Sequence, residues 1–447
     1  MYDYELILGR TQRIRQFIQE RDISSLVFIL SSGFVRNLGG ICNPQLFRKA
    51  RSGTKQAIEE YVQVVKEALD LIDQCSSLDY SVKRTFFRDS LKTFGQTALI
   101  LFGGANFGNF HIGVVKELNV HGLLPRVVCG LSAGAVIAAL ACTRKNVDFL
   151  FDYNEFDFSA FQRKGQKDSI KRKIVRFLKH GVLMDIHVLE QFVRDNVGNM
   201  TFQEAFRLTG RVLNIFVYSN TKNERPFIMN YLTTPSVVIW SAACASCSIP
   251  GLYDSVTILS KGEDGTVAPW IPAFEFEGKW REFPFSSSED LNLGRLSELF
   301  GVNNFVVSHV NSYIILNPFF YLLSYTPAIL FSLSNFIAEE IRHYLMQLSS
   351  IGLIPRWISQ LQRYFATLEG DVNIYPSMAC KDITFLLRNP TATSVHYFIQ
   401  KGQQATWRAL EEINIRCGIE RSIDRGISLQ YPASALGASA SFIADEF

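Results

Sequence analysis

The sequence predicts an α/β fold with a parallel-rich central sheet, and three observations carry that prediction. Thr97-Ala98-Leu99-Ile100-Leu101-Phe102 is a continuous apolar run of strand length, the pattern of a parallel strand buried on both faces. A helix-like segment, Asn109 to Asn119, separates it from a second short strand, Arg126 to Cys129, and a second helix, Ala133 to Cys142. Both strands end in glycine-bearing turns. Strand, helix, strand, helix is the signature of an α/β core, with a right-handed crossover.

Further strands are expected at Val212 to Tyr218, Val237 to Ile239 and Phe305 to His309, with helical stretches such as Val188 to Asn196 between them. The α/β domain therefore runs over 95–310. Before it, 1–94 is helical: an amphipathic stretch through Ile23, then Leu26 to Phe34, then Thr54 to Ile72, where Ile58, Tyr61, Val62, Val65 and Leu69 share one face. Between them RNLGGICNPQLF carries Gly39, Gly40 and Pro44 and reads as a turn. No strand precedes it and no Lys-Ser or Lys-Thr follows, as a phosphate loop requires. The segment 311–345 belongs to a stretch without any charge from Leu299 to Ala338. Pro318 and Pro327 argue for a bent or re-entrant segment on a lipid surface over one straight span. A mixed, mostly helical region, 346–432, and a small-residue tail, 433–447, expected to be disordered, complete the chain.

With 447 residues, 47 % of them hydrophobic, the chain can bury a sizeable core. Its 45 basic and 42 acidic residues nearly cancel, so no nucleic-acid partner is expected. Thirty-six phenylalanines and a slightly positive mean hydropathy point to a surface that meets lipid. The opening MYDYELILGRTQRIRQF places charges where a secretory signal needs an apolar core, and reads as a cytosolic start. Of the eight cysteines only Cys244 and Cys247 form Cys-x-x-Cys, without the second pair a structural zinc needs. Buried, reduced thiols are expected, with no metal and no cofactor.

The chemistry lies in the two turns. Gly130-Leu131-Ser132-Ala133-Gly134 is a Gly-x-Ser-x-Gly string entered by a strand and left by a helix, the context in which a serine sits exposed on a strained elbow above a helix N-terminus. Gly130 and Gly134 keep that turn free of side chains. Upstream, Gly103-Gly104-Ala105-Asn106-Phe107-Gly108 opens a helix, where free backbone N–H groups offer an oxyanion its donors. A dinucleotide fingerprint has similar glycines, but it expects an acid at the end of the next strand, and here that strand ends in Cys129 and the serine elbow.

The strings GGANFGNFHIGVVKEL, GLSAGAVIAAL, IWSAACASCSIPGLYDSV and RLSELFGVNNFVVSHVN resemble the patatin-like triacylglycerol lipases of yeast and plant lipid droplets. YDYELI, RNLGG…NP and GTKQAIEEYV on one side, and GDVNIYP, RNPT, QATW and CGIERSID on the other, are similar to that family's flanking regions. The resemblance covers nearly the whole chain. It implies a patatin-like three-layer α/β fold, Ser132 as nucleophile, Gly103, Gly104, Ala105 and Gly108 as oxyanion loop, and a Ser-Asp dyad without histidine that passes through an acyl-serine. It implies a triacylglycerol lipase at the cytosolic face of a lipid droplet or the endoplasmic reticulum membrane, with neutral lipid or phospholipid as substrate. The alternatives are a catalytically impaired lipid-binding or regulatory relative, and a phospholipase or lysophospholipid acyltransferase on the same site. Protein partners are not indicated.

One motif departs from the family. Counting back from Arg295, the dyad Asp-Gly falls on Pro284 and Phe285, neither of which accepts a proton. Asp290 and Glu282 are nearby acids, and Asp264-Gly265, the one Asp-Gly in the chain, reads as a hairpin turn. His180 and Asp185 have an acyltransferase-like spacing, but Asp185 reads as a helix N-cap. His111 reads as structural. The basic run Gln162 to Lys179 reads either as a solvated helix face or as a contact for anionic headgroups.

Overall fold

Strand β1 (Gln96–Leu101) is buried along its length after Gln96 because it lies inside a six-stranded sheet. The computed structural model describes residues 2–48, 53–148, 170–217, 227–248, 251–270, 293–310, 369–377, 380–385 and 388–430, with short stretches between 340 and 353. The remaining strands are β2 (Val127–Gly130), β3 (Val212–Val217), β4 (Phe227–Met229), β7 (Val302–Ser308) and β8 (Val372–Ile374), and a separate hairpin pairs β5 (Leu259–Lys261) with β6 (Val267–Pro269). The sheet order is β4-β3-β2-β1-β7-β8, parallel except for the edge pair β3–β4. The chain steps outward from β1 to β2 and β3, then reappears on the other side of β1 as β7. Strand order therefore reverses beside β1, the place where open α/β sheets bind ligands.

Alternation along the strands feeds two cores. Leu99, Leu101 and Val128 pack with the helices Phe110–Val120 (α5), Ala133–Cys142 (α6) and Ile239–Cys247 (α10), whereas Ala98, Ile100, Val127 and Cys129 pack with Leu296 and Phe300 of the helix Leu293–Phe300 (α11) on the opposite face. A strand buried on both faces reads as unbroken apolar sequence for this reason.

A third core joins the N-terminal helices to the far end of the chain. Helices Tyr4–Glu20 (α1), Ile23–Ser31 (α2), Gln56–Gln74 (α3) and Tyr80–Phe94 (α4) bury Ile14, Leu26, Ile58, Val65 and Phe87, together with Ile415, Ile419 and Ile423 of the 39-residue helix Ala392–Gln430 (α12). The same long helix lies backbone to backbone on α5, since a Cβ on Gly113 or Gly402 would overlap the main chain of the other helix. At the foot of the sheet Arg36 pairs with Glu420 at 2.9 Å and donates to Gly95 O at 2.7 Å and Arg416 O at 2.6 Å. Glu420 in turn accepts from the Thr97 N–H at 2.8 Å. Arg36 and Glu420 are both buried.

The strand expected at Val237–Ile239 does not form. Val237 and Val238 make single antiparallel bridges to Ser260 and Thr201, and Ile239 opens helix α10. So short an apolar run has no readable period, and the Ala, Ser and Cys residues that follow favour the helix. The segment 311–345 lies almost wholly, and the tail 433–447 wholly, outside the described residues. Among the described residues no helix is long and apolar enough to cross a membrane.

Candidate active site

The carboxyl ends of β1, β2 and β7 stop at one level, with Leu101 opposite both Gly130 and Ser308. Three turns leave from there. After β2 the chain enters Ser132 with φ 51° and ψ −123°, a conformation that costs a side-chain-bearing residue about 1–3 kcal/mol, and then starts α6. After β1 it passes Gly103 and Gly104 into a helical turn, Ala105–Asn109, where Ala105 also has a positive φ of 48°. Among the described residues only Arg21, Ala105 and Ser132 combine a side chain with positive φ, so two of the three strained positions belong to these turns.

Close approach explains the glycines. A Cβ on Gly103 would stand 2.8 Å from Ser132 Cβ, one on Gly104 2.6 Å from Val310 Cγ2, and one on Gly108 2.8 Å from Ala133 Cβ. A Cβ on Gly130 would overlap Ala135, and one on Gly134 would overlap the Leu101 carbonyl. The Gly103–Gly108 loop thus lies directly over the serine elbow. Among the described residues the N–H groups of Gly103, Gly104, Ala105 and Ala133 have no hydrogen-bond acceptor, and all belong to turns beside Ser132. Such donors suit a developing oxyanion. Ser132 itself is only 7 % exposed.

Behind the serine stands α10. The Ser132 N–H donates to Ser246 Oγ at 2.9 Å, and the Ser246 hydroxyl donates to Phe216 O on β3 at 2.7 Å. Next along the helix, the Cys247 thiol faces the Ser132 side chain. Burial pushes that thiol up to about 12, with Ser132 pulling against the rise, so it is protonated at neutral pH and does not serve as a base.

His111 is fully committed elsewhere. Its Nε2 lies 2.6 Å from the Phe102 carbonyl and its Nδ1 2.8 Å from Ser308 Oγ. A carbonyl only accepts, so Nε2 carries the proton and Nδ1 accepts from the Ser308 hydroxyl. Burial lowers the ring to about 4, and the neutral imidazole ties the end of β1 to the end of β7. His309 is stacked between Phe102 and Tyr375, and burial lowers it likewise to about 4.

Of the candidate acids only Asp264 lies among the described residues, and no hydrogen bond joins it to the serine. Asp264 lies exposed in the turn of the β5–β6 hairpin, where Gly265 has φ 76°. Glu282, Pro284, Phe285 and Asp290 lie outside the described residues. Asp185 caps the helix Ile186–Val197 (α8) by accepting from the His187 N–H, and also pairs with Arg176 at 2.7 Å. His180 is exposed, so its spacing from Asp185 builds a cap and not a site. Cys244 and Cys247 are buried free thiols, and no group of His, Cys, Asp and Glu among the described residues is arranged to hold a metal ion.

Ala133, Ser246 and Cys247 are the neighbours that motif reading missed. The Ala133 donor follows from the elbow itself, because the residue after the nucleophile ordinarily supplies one. Ser246 and Cys247 sit more than a hundred residues downstream in a helix of small residues and carry no local signal.

The model of the family described as patatin-like phospholipase matches residues 99–280, and that of a domain of unknown function, DUF3336, matches residues 1–92. Triacylglycerol lipase SDP1L of Arabidopsis thaliana is 33 % identical over 96 % of this chain and 54 % of its own. Triacylglycerol lipase 4 of Saccharomyces cerevisiae is 34 % identical over 96 % and 49 %. Triacylglycerol lipase ptl1 of Schizosaccharomyces pombe is 32 % identical over 94 % and 77 %. The chain spans about half the length of the first two relatives. Among solved structures, VipD from Legionella pneumophila aligns over 72 % of this chain and 67 % of that one at 12 % identity and a TM-score of 0.33.

Proposed function

The chain belongs to the patatin-like phospholipase family, and from that premise we propose that it is a triacylglycerol lipase that cleaves stored neutral lipid through Ser132. One observation carries the reading: a strained serine at a strand-to-helix elbow, covered by a glycine loop whose Gly103, Gly104 and Ala105 N–H groups have no acceptor among the described residues. In this reading Ser132 Oγ attacks the ester carbonyl carbon. The oxyanion that forms is held by the Gly103, Gly104, Ala105 and Ala133 N–H groups, each such donor being worth about two to three orders of magnitude in rate. The tetrahedral intermediate expels the glyceride alkoxide, which takes up the serine proton and leaves as alcohol. Water then cleaves the acyl-serine to free fatty acid and restores the hydroxyl.

The work site in this reading is the cytosolic face of a lipid droplet or the endoplasmic reticulum membrane. The test is hydrolysis of emulsified triacylglycerol by the purified chain, with fluorophosphonate labelling in parallel. Loss of both in Ser132→Ala is the expected result, and hydrolysis that survives that change refutes the reading. Phospholipid, and lysophospholipid with acyl-CoA, offered under the same conditions separate the phospholipase and acyltransferase variants.

A second reading is favoured by one feature: Pro284 and Phe285 stand where the family has its Asp-Gly. A lipid-binding relative without turnover then follows. It requires that Ser132 resist the probe.

A further inference from the structure

The helix Ile170–His180 (α7) is inverted relative to an ordinary surface helix, which turns apolar residues to the core and charges to water. Leu178 is 78 % exposed, Ile174 51 % and Val175 49 %. Two of its cations reach back to the protein, Arg176 to Asp185 at 2.7 Å and Lys173 to Asn389 at 3.5 Å. At about 100° per residue, Ile174, Leu178 and Val175 form one outward stripe, and the exposed Arg172 and Lys179 run along its edge. The stripe is thus left about half exposed or more.

Its connection to the helix that braces Ser132 is short. Gly181 ends the helix with φ 77°, after which the Leu183 N–H donates to Gly251 O at 3.1 Å and the Met184 N–H to Leu252 O at 2.9 Å. The Tyr253 hydroxyl reaches Met184 Sδ at 3.8 Å. Gly251 to Tyr253 come shortly after α10, whose Ser246 holds the Ser132 N–H.

We propose that α7 docks the protein on an anionic phospholipid surface, Ile174, Val175 and Leu178 entering the acyl layer while Lys179 meets the headgroups. Charge complementarity selects this occupant: a cation bordering an apolar stripe fits a layer that is anionic outside and apolar within, and serves no purpose against a neutral oil. Docking through α7 sets Gly251 to Tyr253, which follow the helix that holds the Ser132 N–H, near the lipid. The biological sense of this surface rests on the lipase reading, but its test does not.

The test is flotation of the full chain with phosphatidylcholine vesicles made with and without phosphatidylserine. Preferential binding to the anionic vesicles is expected. Ile174→Ser with Leu178→Ser should weaken it by about a hundredfold, since each apolar side chain contributes about tenfold. Lys179→Glu should weaken it by about fivefold and make the remainder more sensitive to salt. Labelling of Ser132 by a fluorophosphonate in vesicle-free buffer should be the same in all these variants. Absence of labelling throughout would refute the lipase reading while leaving the flotation result standing. Equal flotation by wild type and the double variant, or equal binding to both vesicle types, overturns the docking proposal. So does a lowered melting temperature in Leu178→Ser, which would mean that the chain itself covers the stripe, and so does a wild-type dimer that the double variant dissolves while flotation persists.

Discussion

The Ser132 N–H and the Ser246 hydroxyl, 114 positions apart in the chain, are joined by a 2.9 Å hydrogen bond, so the serine elbow is braced by a helix that plays no part in the Gly-x-Ser-x-Gly string. The same hydroxyl donates its own hydrogen bond to Phe216 O, linking elbow, helix and β3 in one line. Ser246→Ala leaves two buried main-chain groups without partners, at a cost of about 1–3 kcal/mol. A misplaced nucleophile also loses rate, so kcat should fall about tenfold with KM little changed. Denaturant melts and hydrolysis assays check both. Wild-type behaviour would mean that the strand and α6 hold the elbow unaided.

The positive φ of Ser132 makes a second expectation. Glycine takes that conformation without penalty, whereas alanine does not. Both Ser132→Gly and Ser132→Ala should be inactive, yet the glycine variant should be the more stable by about 1 kcal/mol in a urea titration. Equal stability would show that the elbow relaxes once the hydroxyl is gone.

The Arg36–Glu420 pair is buried at 2.9 Å, and burial raises the Glu420 carboxyl despite the guanidinium beside it. Arg36→Met strands a carboxyl in the interior and should destabilise the chain by about 3–5 kcal/mol. Adding Glu420→Gln should recover part of that loss. A double-mutant cycle measures it, and purely additive effects would rule out coupling.

Acid should loosen the fold through its two buried histidines. Burial sets both His111 and His309 at about 4 when folded, below their ordinary 6.5. The unfolded chain takes up protons as pH falls through 6.5, and the folded chain only near 4. Their contribution is therefore complete above 6.5 and is lost as pH falls toward 4, with a slope of up to about 1.4 kcal/mol per pH unit for each histidine. Stability measured across that window should have a shallower slope in His111→Gln, by about one proton. An unchanged slope would exclude His111 as a source.

The sequence made β1, β2 and the elbow legible because their signals are short-range: an apolar run, a glycine, and a helix of small residues within a few positions. Val237–Ile239 misled for the same reason, an apolar triplet having no period of its own. The short strands Phe227–Met229 and Val372–Ile374 are set by their neighbours in the sheet and not by propensity. Ser246 and Cys247 are invisible to motif reading, since a serine or cysteine in a helix states nothing about which loop it will face. Nor does the pattern of α7 alone reveal an inverted helix, because periodicity identifies an apolar stripe and not the direction it faces.

The third core, in which Ile415, Ile419 and Ile423 complete the packing of α1 to α4, bears on how the protein is made. Translation delivers the N-terminal helices first, yet the side chains that close their core leave the ribosome only after some three hundred further residues. Strand β1 likewise waits for β7 before its second edge is paired. During synthesis these helices and that strand edge carry open apolar and hydrogen-bonding surface, which makes the nascent chain a client for holding chaperones until α12 arrives.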